Sequence, residues 1–326
     1  MIRFLYKYMP MRFDFFKDLM IRATPALALN DPFELKFNNT QVRDANKNQM
    51  EFYRNAGKDV RECDNSMLDD ICMVMQSDLM DLGAISFTED CNNPLMWAHY
   101  ADNHKGFVIE FDFKEPFFSD SIINSGGRMS RFGNDCFGEV FEYPEKVNYR
   151  REMPSFERSE LSSPDSMDEF HWKKFNKAIL YTKSDDWIYE KEQRSIVRLR
   201  DADSIICKHN NYIREICRRE AGISLVERGD GKIQVTFPNE YEMHEKMGDE
   251  SIKDEVYRHS FCNLGSTIHL FRINPLAISG VYFGCNANYN DALYNIKQNT
   301  SLKSLNNIFT MKRNEYFYRF DKVPLR

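Results

Sequence analysis

Residues 106–113 read Gly-Phe-Val-Ile-Glu-Phe-Asp-Phe, with apolar side chains at 107, 109, 111 and 113. Alternation of this kind marks an extended strand, because successive Cβ atoms project to opposite faces. A strand with one face made only of Phe and Ile has to be covered, so the chain needs a sheet with a packed layer against it. Further strands are predicted at Ile2–Tyr8, Ala84–Thr88, Trp187–Val197, Ile268–Ile273, Ile278–Gly284 and Glu315–Phe320. Arg228-Gly229-Asp230-Gly231 between ISLVE and KIQVTF is a hairpin signal. Helical spacing appears at Phe13, Phe16 and Met20, around Met167–Tyr181, and near Asn290–Thr300. The clearest helix runs through Leu68, Ile71, Cys72, Met75, Leu79 and Leu82, with Ser66 and Asp69 as a capping-box variant and Gly83 closing it. Residues 38–65 are polar and Asn-rich, with weak helical signals only. Asn30-Asp31-Pro32-Phe33-Glu34 reads as a structured corner.

The resulting expectation is one mixed α+β domain over residues 1–326. Two insertions elaborate it. Residues 114–170 turn rich in Ser, Gly, Asn and Pro and read as an insertion or lid, with a strand-like piece at Glu139–Tyr143. Residues 201–262 form a charged insertion, in which 208–219 carries four basic residues against one acid and 240–255 seven acids against two bases.

The net charge of -6 excludes a global positive field for holding nucleic acid, so any such contact must be local. A mean hydropathy of -0.60 and the lack of an apolar run near the roughly 18 residues a bilayer requires predict a cytoplasmic protein with no membrane partner. The N-terminal stretch is broken by Arg3, Lys7 and Arg12 and lacks a small-residue cleavage site. The eight cysteines form no C-x-x-C pair or Cys/His cluster at zinc spacing and read as reduced thiols, with no metal site predicted from them. A P-loop, a G-x-G-x-x-G, an H-E-x-x-H and a G-x-S-x-G are all missing.

Several smaller patterns carry chemistry. On an extended strand Glu190 and Glu192 share a face, with Arg194 next in line. Paired carboxylates suit sugar hydroxyls and a cationic transition state at a glycosidic bond; the plainer alternative is a surface strand with cross-strand ion pairs. Ser86 and Thr88 place two hydroxyls opposite Phe87, suited to a ribose or carboxamide, although Thr is common in strands. Trp97, His99 and Tyr100, followed by His104, form the densest aromatic and imidazole cluster, which would either stack a nucleobase or nicotinamide ring or anchor Trp97 in the core. Lys7 sits between Tyr6 and Tyr8, as a phosphate ligand or a solvated edge residue. Asp31, Glu34 and Lys36 are loosely spaced like the Mg²⁺ site of some nucleases.

Tyr6-Lys7-Tyr8, Asn30 to Glu34, Ile85 to Glu89, Met96 to Tyr100 with Lys105-Gly106 and Glu110 to Asp112, and Tyr189-Glu190-x-Glu192-x-Arg194, in that order, resemble the bacterial family known as domain of unknown function 2971. The family's blocks are in turn similar in layout to ADP-ribosyltransferase-like folds, which implies a curved, mostly antiparallel split sheet with surrounding helices, elaborated by the two insertions. That resemblance implies NAD as substrate, with Ser86 and Thr88 lining the nicotinamide-ribose site, Glu192 as the catalytic glutamate and Glu190 steering the acceptor. Lys7 or Tyr8 stands where those folds carry Arg or His. Asn30, Asp31, Trp97, His99, Tyr100 and Arg194 complete the expected nucleotide site. The implied activity is cleavage of the N-glycosidic bond of NAD with transfer of ADP-ribose to a macromolecule, protein or nucleic acid, by a toxin or phage-defence effector that would have a regulatory partner. Two alternatives stand beside it: a non-catalytic nucleotide-sensing or partner-binding defence protein, and a Mg²⁺-dependent nuclease using Asp31, Glu34 and Lys36.

Overall fold

The computed structural model describes residues 3–12, 14–60, 64–119, 143–154, 175–219, 222–238, 252–260 and 266–325. β1 (Phe4–Met9) is followed by a single helical turn, α1 (Phe15–Asp18), and by β2 (Met20–Pro25). Here the helix expected to reach Met20 is corrected. Leu19 adopts a left-handed backbone (φ 49°) and ends α1, so Met20 opens a strand instead.

The Asn-rich stretch also holds more structure than its composition suggested. α2 (Asn39–Asn55) is a long helix whose start is secured by a reciprocal capping box between Asn38 and Gln41. α3 (Asn65–Met80) is the helix read from its spacing, but its cap is Asp64, which accepts from the Met67 N–H at 2.9 Å. Gly83 does not close α3. It lies inside β3 (Leu82–Thr88), where a Cβ would come within 2.5 Å of Leu199 Cδ2.

α4 (Pro94–Tyr100) starts on an Asn93 cap and leads to β4 (Phe107–Asp112), the alternating strand of the opening motif. β5 (Glu145–Lys146), β6 (Asn148–Arg150) and β7 (Thr182–Ser184) come next. The expected strand over 187–197 begins only at β8 (Glu192–Arg198): residues Asp185–Glu190 wind as a 3₁₀ helix and Lys191 is left-handed (φ 46°). β9 (Ser204–Lys208), α5 (Asn211–Arg218), β10 (Ser224–Glu227), β11 (Lys232–Thr236) and α6 (Ile252–Ser260) follow. The chain then forms β12 (Ile268–Arg272), β13 (Ile278–Phe283), α7 (Asn290–Gln298), β14 (Ile308–Arg313) and β15 (Phe320–Pro324). The strand expected at Glu315–Phe320 is instead the turn between β14 and β15. Of the strand-like piece at Glu139–Tyr143 only Tyr143 is described, and the helix expected over Met167–Tyr181 is described from 175, helical through 180.

Among the described residues thirteen strands join one sheet in the order β10-β11-β9-β12-β2-β3-β1-β4-β13-β14-β15, with β8 pairing β3 and β5 pairing β8. Apart from the parallel β13–β14 pair its ladders are antiparallel, and β6 and β7 pair separately in parallel. The fold is therefore α+β with a large, mostly antiparallel open sheet. Of the described residues in the stretches read as insertions, β9, β10 and β11 extend one end of the sheet, while Phe117 and Phe118 are fully buried in the main core. Among the described residues no helix is long and apolar enough to cross a membrane.

The core follows from the alternation in β4. Phe107, Ile109, Phe111 and Phe113 all enter the largest apolar cluster, with Phe15, Phe16 and Phe117 among their neighbours. Val108, on the other face, joins Tyr8, Trp97 and Tyr282 in a second cluster. Glu110 on that face is satisfied by the hydroxyls of Ser279 (2.8 Å) and Tyr282 (2.6 Å). Gly106 lets β4 start where it does, since a Cβ there would lie 2.1 Å from the Met9 carbonyl oxygen. Phe111→Ala should lower stability by about 3–5 kcal/mol, and Gly106→Ala by at least about 2 kcal/mol because backbone must shift. Urea unfolding of the full chain measures both; a Gly106→Ala variant as stable as the parent would contradict the packing described.

Candidate functional site

A gap in the sheet makes the site. Along one edge β3 pairs with β2 at Gly83 and Ala84, and with β1 only at Thr88, opposite Tyr6. Between those points the strands part, and the Ser86 carbonyl accepts from Lys7 Nζ at 2.8 Å instead of from a neighbouring strand. A cavity of about 220 Å³ opens there, lined from β1, β2 and β3 and closed by Asn30, Tyr100 and the carboxylates of Glu34, Glu190 and Glu192. On the other edge β3 pairs with β8 over its whole length, from Leu82↔Arg198 to Thr88↔Glu192, which carries Glu192 to the cleft floor beside Ser86.

Behind the floor lies a buried ion cluster. Arg194, fully buried, donates from Nε (2.9 Å) and from a terminal nitrogen (3.0 Å) to the two oxygens of Glu192, and also binds Glu34 at 2.5 Å and the Leu180 carbonyl at 2.9 Å. Lys183, on β7, reaches Glu190 at 2.6 Å, Glu34 at 3.3 Å and Glu192 at 3.4 Å. The left-handed Lys191 bends the chain between Glu190 and Glu192. The two carboxylates therefore do not share a strand face by period, yet both converge on Lys183. Tyr100 donates its hydroxyl to Glu190, and the Glu192 N–H donates to the Tyr149 hydroxyl at 2.7 Å.

Two cations face three carboxylates in the cluster. Burial opposes ionisation of Glu192, but Arg194, Lys183 and a hydrogen bond from the Ser86 hydroxyl outweigh it and hold the carboxyl below the ordinary range. For Glu190 burial prevails over Lys183 and Tyr100, so its pKa is raised. Burial also opposes the charge on Lys183, but Glu192, Glu34 and Glu190 keep it firmly protonated.

The opposite wall is positive. Burial pushes the Lys7 ammonium down to about 8, with Glu192 pulling it up and Arg22 pushing it further down. Arg22, on β2, forms no ion pair among the described residues, and its Nε is buried without a hydrogen-bond partner. The cleft thus sets a carboxylate floor against a cationic wall that lacks carboxylate partners, an arrangement suited to a ligand with a phosphate end and a sugar end.

The sequence-predicted residues divide clearly. Lys7, Tyr8, Asn30, Ser86, Thr88, Tyr100, Glu190 and Glu192 line the cleft, with the Asn30 amide hydrogen-bonded to Tyr100. Arg194 lies behind the floor as the clamp on Glu192. Trp97 does not reach the cleft: it is fully buried, donating to the Cys91 carbonyl at 3.0 Å. His99 stands exposed on α4. Asp31 folds back, accepting from the Phe33 N–H at 2.8 Å, and borders a neighbouring cavity of about 260 Å³. Glu34 and Lys36 border that same cavity, with Lys36 exposed and the Glu34 carboxylate taken up by Arg194 and Lys183. Among the described residues no three His, Cys, Asp or Glu side chains gather as metal ligands. Sequence reasoning missed Arg22, Lys183 and Tyr149. A charged residue inside the apolar run Met20–Pro25 was the only signal for Arg22; nothing local marks the other two.

Residues 96–195 match the family model described as Protein of unknown function (DUF2971). The matched stretch includes α4, β4 and the Glu190 to Arg194 end of the site, which hold three of the blocks that carry the resemblance. No curated protein and no solved structure matches the chain.

Charge balance predicts unequal effects. Arg194→Met leaves one cation against three buried carboxylates and should cost about 3–5 kcal/mol, whereas Glu192→Gln leaves two against two and should cost clearly less. Glu192 is held below its unfolded value of about 4.5. Its contribution is therefore complete above that value and is lost as pH falls through the folded pKa. Urea midpoints of both variants, from neutral pH downward, check the ordering, and equal losses would count against the cluster as described.

Proposed function

We propose that the cleft binds NAD and that the chain is an ADP-ribosyltransferase-like enzyme, its sheet serving as the curved split sheet of such folds. One observation carries the reading: an ionised, clamped Glu192 beside the Ser86 hydroxyl, in a cleft whose opposite wall holds Lys7 and Arg22 without carboxylate partners. The cations suit a pyrophosphate, Tyr6 and Tyr100 offer aromatic surface, and Ser86 and Thr88 suit the ribose and carboxamide.

Glu192 supplies fixed negative charge where positive charge develops. The C–N bond between ribose and nicotinamide breaks, its electron pair leaves with the nicotinamide, and the ribose C1 gains oxocarbenium character next to the carboxylate. Arg194 and Lys183 keep Glu192 ionised without a change of protonation. Glu190, with its raised pKa, is the better proton acceptor and takes the proton from the attacking atom of the macromolecular acceptor as that atom bonds to C1. Such an activity fits a toxin or phage-defence effector acting inside a bacterial cell under the control of a partner protein.

The Arg194 fork on both oxygens of Glu192 favours a second reading, in which the cleft holds a nucleotide without altering it. Adenine-labelled NAD incubated with the protein and cell extract separates the two. Transfer predicts free nicotinamide together with label retained on macromolecules, both lost in Glu192→Gln, and nuclease treatment tells a nucleic-acid acceptor from a protein one. Nicotinamide without retained label means a glycohydrolase, and NAD bound but recovered intact supports the sensor.

Affinity for NAD should fall as pH rises through about 8, because Lys7 then loses its charge. Lys7→Met should bind more weakly at pH 7 and remove that inflection, as followed by calorimetric titration across pH. An unchanged profile would take Lys7 out of the phosphate site.

A further inference from the structure

The turn between β14 and β15 does what a folded chain normally avoids: it presents Tyr316, Phe317 and Tyr318 together to solvent, with exposures of 85%, 63% and 104%. The turn is a built structure. Asn314 accepts from the N–H groups of Tyr316 (2.9 Å) and Phe317 (2.8 Å) and donates to Asp321 at 2.8 Å. At its base, Asn92 and the Phe320 backbone exchange two hydrogen bonds of 2.8 Å, tying the hairpin to the loop ahead of α4. These bonds fix the backbone of the turn, so little backbone freedom remains to be lost when the rings are covered.

The charges around them are specific. The segment 311–322 carries four basic side chains against two acidic ones, in a chain of net charge -6. The Arg319 guanidinium lies 4.9 Å from the Phe317 ring centroid, already stacked. Arg313 forms no ion pair among the described residues and faces His104 across a groove of about 330 Å³ that also borders Phe317 and Phe320. The His104 ring lies 5.5 Å from Phe320, and its Nδ1 is buried without a partner. Aromatic faces for bases, arginines for phosphates and an unmet polar nitrogen in the adjoining groove match the chemistry of one polymer, a nucleic-acid strand whose base faces are free. A duplex hides those faces. A lipid surface is the poorer match, since Glu315 sits beside the rings and would meet an anionic headgroup layer.

We propose that the β14–β15 hairpin is a docking surface for single-stranded nucleic acid, with Tyr316, Phe317 and Tyr318 stacking bases and Arg313 and Arg319 holding the backbone. The surface is independent of the cleft chemistry and stands whether or not NAD is the ligand there.

The test is anisotropy of fluorescein-labelled single strands of about 15 nucleotides, one of deoxythymidine and one of uridine, titrated with the full chain at about 50 mM and about 200 mM salt. The expected result is binding that weakens steeply with salt and exceeds that of a duplex of equal length; the two strands tell DNA from RNA preference. Removing any one aromatic ring, as in Tyr318→Ala, should weaken binding roughly tenfold, and Arg313→Ala should reduce the salt slope by about one. The replaced side chains are exposed, so unfolding midpoints should not move. Absence of binding at the lower salt, or binding that none of these substitutions alters, would overturn the proposal. So would capture by anionic phospholipid vesicles through the same rings when the oligonucleotides neither bind nor compete.

Discussion

The architecture of the cleft depends on Arg194. A guanidinium with no solvent access is tolerable only if its donors are met, and Arg194 meets them with both oxygens of Glu192, one of Glu34 and the Leu180 carbonyl. Those partners come from β8 itself, from the corner after β2 and from the segment ahead of β7. The cation therefore joins three stretches of chain that no ladder joins directly. Lys183 adds a second tie among the same carboxylates. Charges this deep are poor sources of net stability, since their desolvation offsets most of their attraction, but they impose one arrangement on the groups around them.

That arrangement sits against an interruption of the sheet. β3 is paired along its β8 side and open between Ala84 and Thr88 on the other, so the cleft has a rigid floor and a missing strand for a mouth. Lys7 occupies part of the vacancy by donating to Ser86, which satisfies one carbonyl and places a weakly held charge beside Arg22. The carboxylates of Glu34, Glu190 and Glu192 against Lys7 and Arg22 give the cleft a field across it. A ligand with charge of one sign at each end is oriented by such a field before any contact is made.

Where sequence reasoning held, the signal was local. The β4 alternation, the α3 spacing and the Gly-Asp-Gly hairpin are each decided within about ten residues by side-chain period or turn chemistry. Ser86 and Thr88 both line the cleft because β3 is a regular strand. Glu190 and Glu192 were brought together by a wrong rule with a right outcome: they meet because Lys191 takes a left-handed backbone, not because a strand carries them on one face. Trp97 and His99 were drawn in by their aromatic cluster and the resemblance block, and a Trp in a seven-residue helix looks the same whether it faces a ligand or anchors in the core against Tyr8 and Val108, the alternative that the structure shows. The aromatic run Tyr316–Phe320 has strand composition, yet Asn314 bends it into a turn by side-chain hydrogen bonds that period counting does not register.

By itself the sequence determined the class of element in most segments, the apolar face of the central strand, and the family blocks around α4 and Glu190 to Arg194. Those properties depend on residues close together in the chain. The tertiary structure alone decided that Arg22 and Lys7 stand opposite Glu192, that Lys183 gathers three carboxylates from separate segments, and that the charged stretch after residue 201 extends the sheet. Each depends on pairing between strands far apart in sequence, where a one-residue change of register turns every side chain to the other face. Local pattern carries no record of that choice, which is made only when the whole sheet closes over its core.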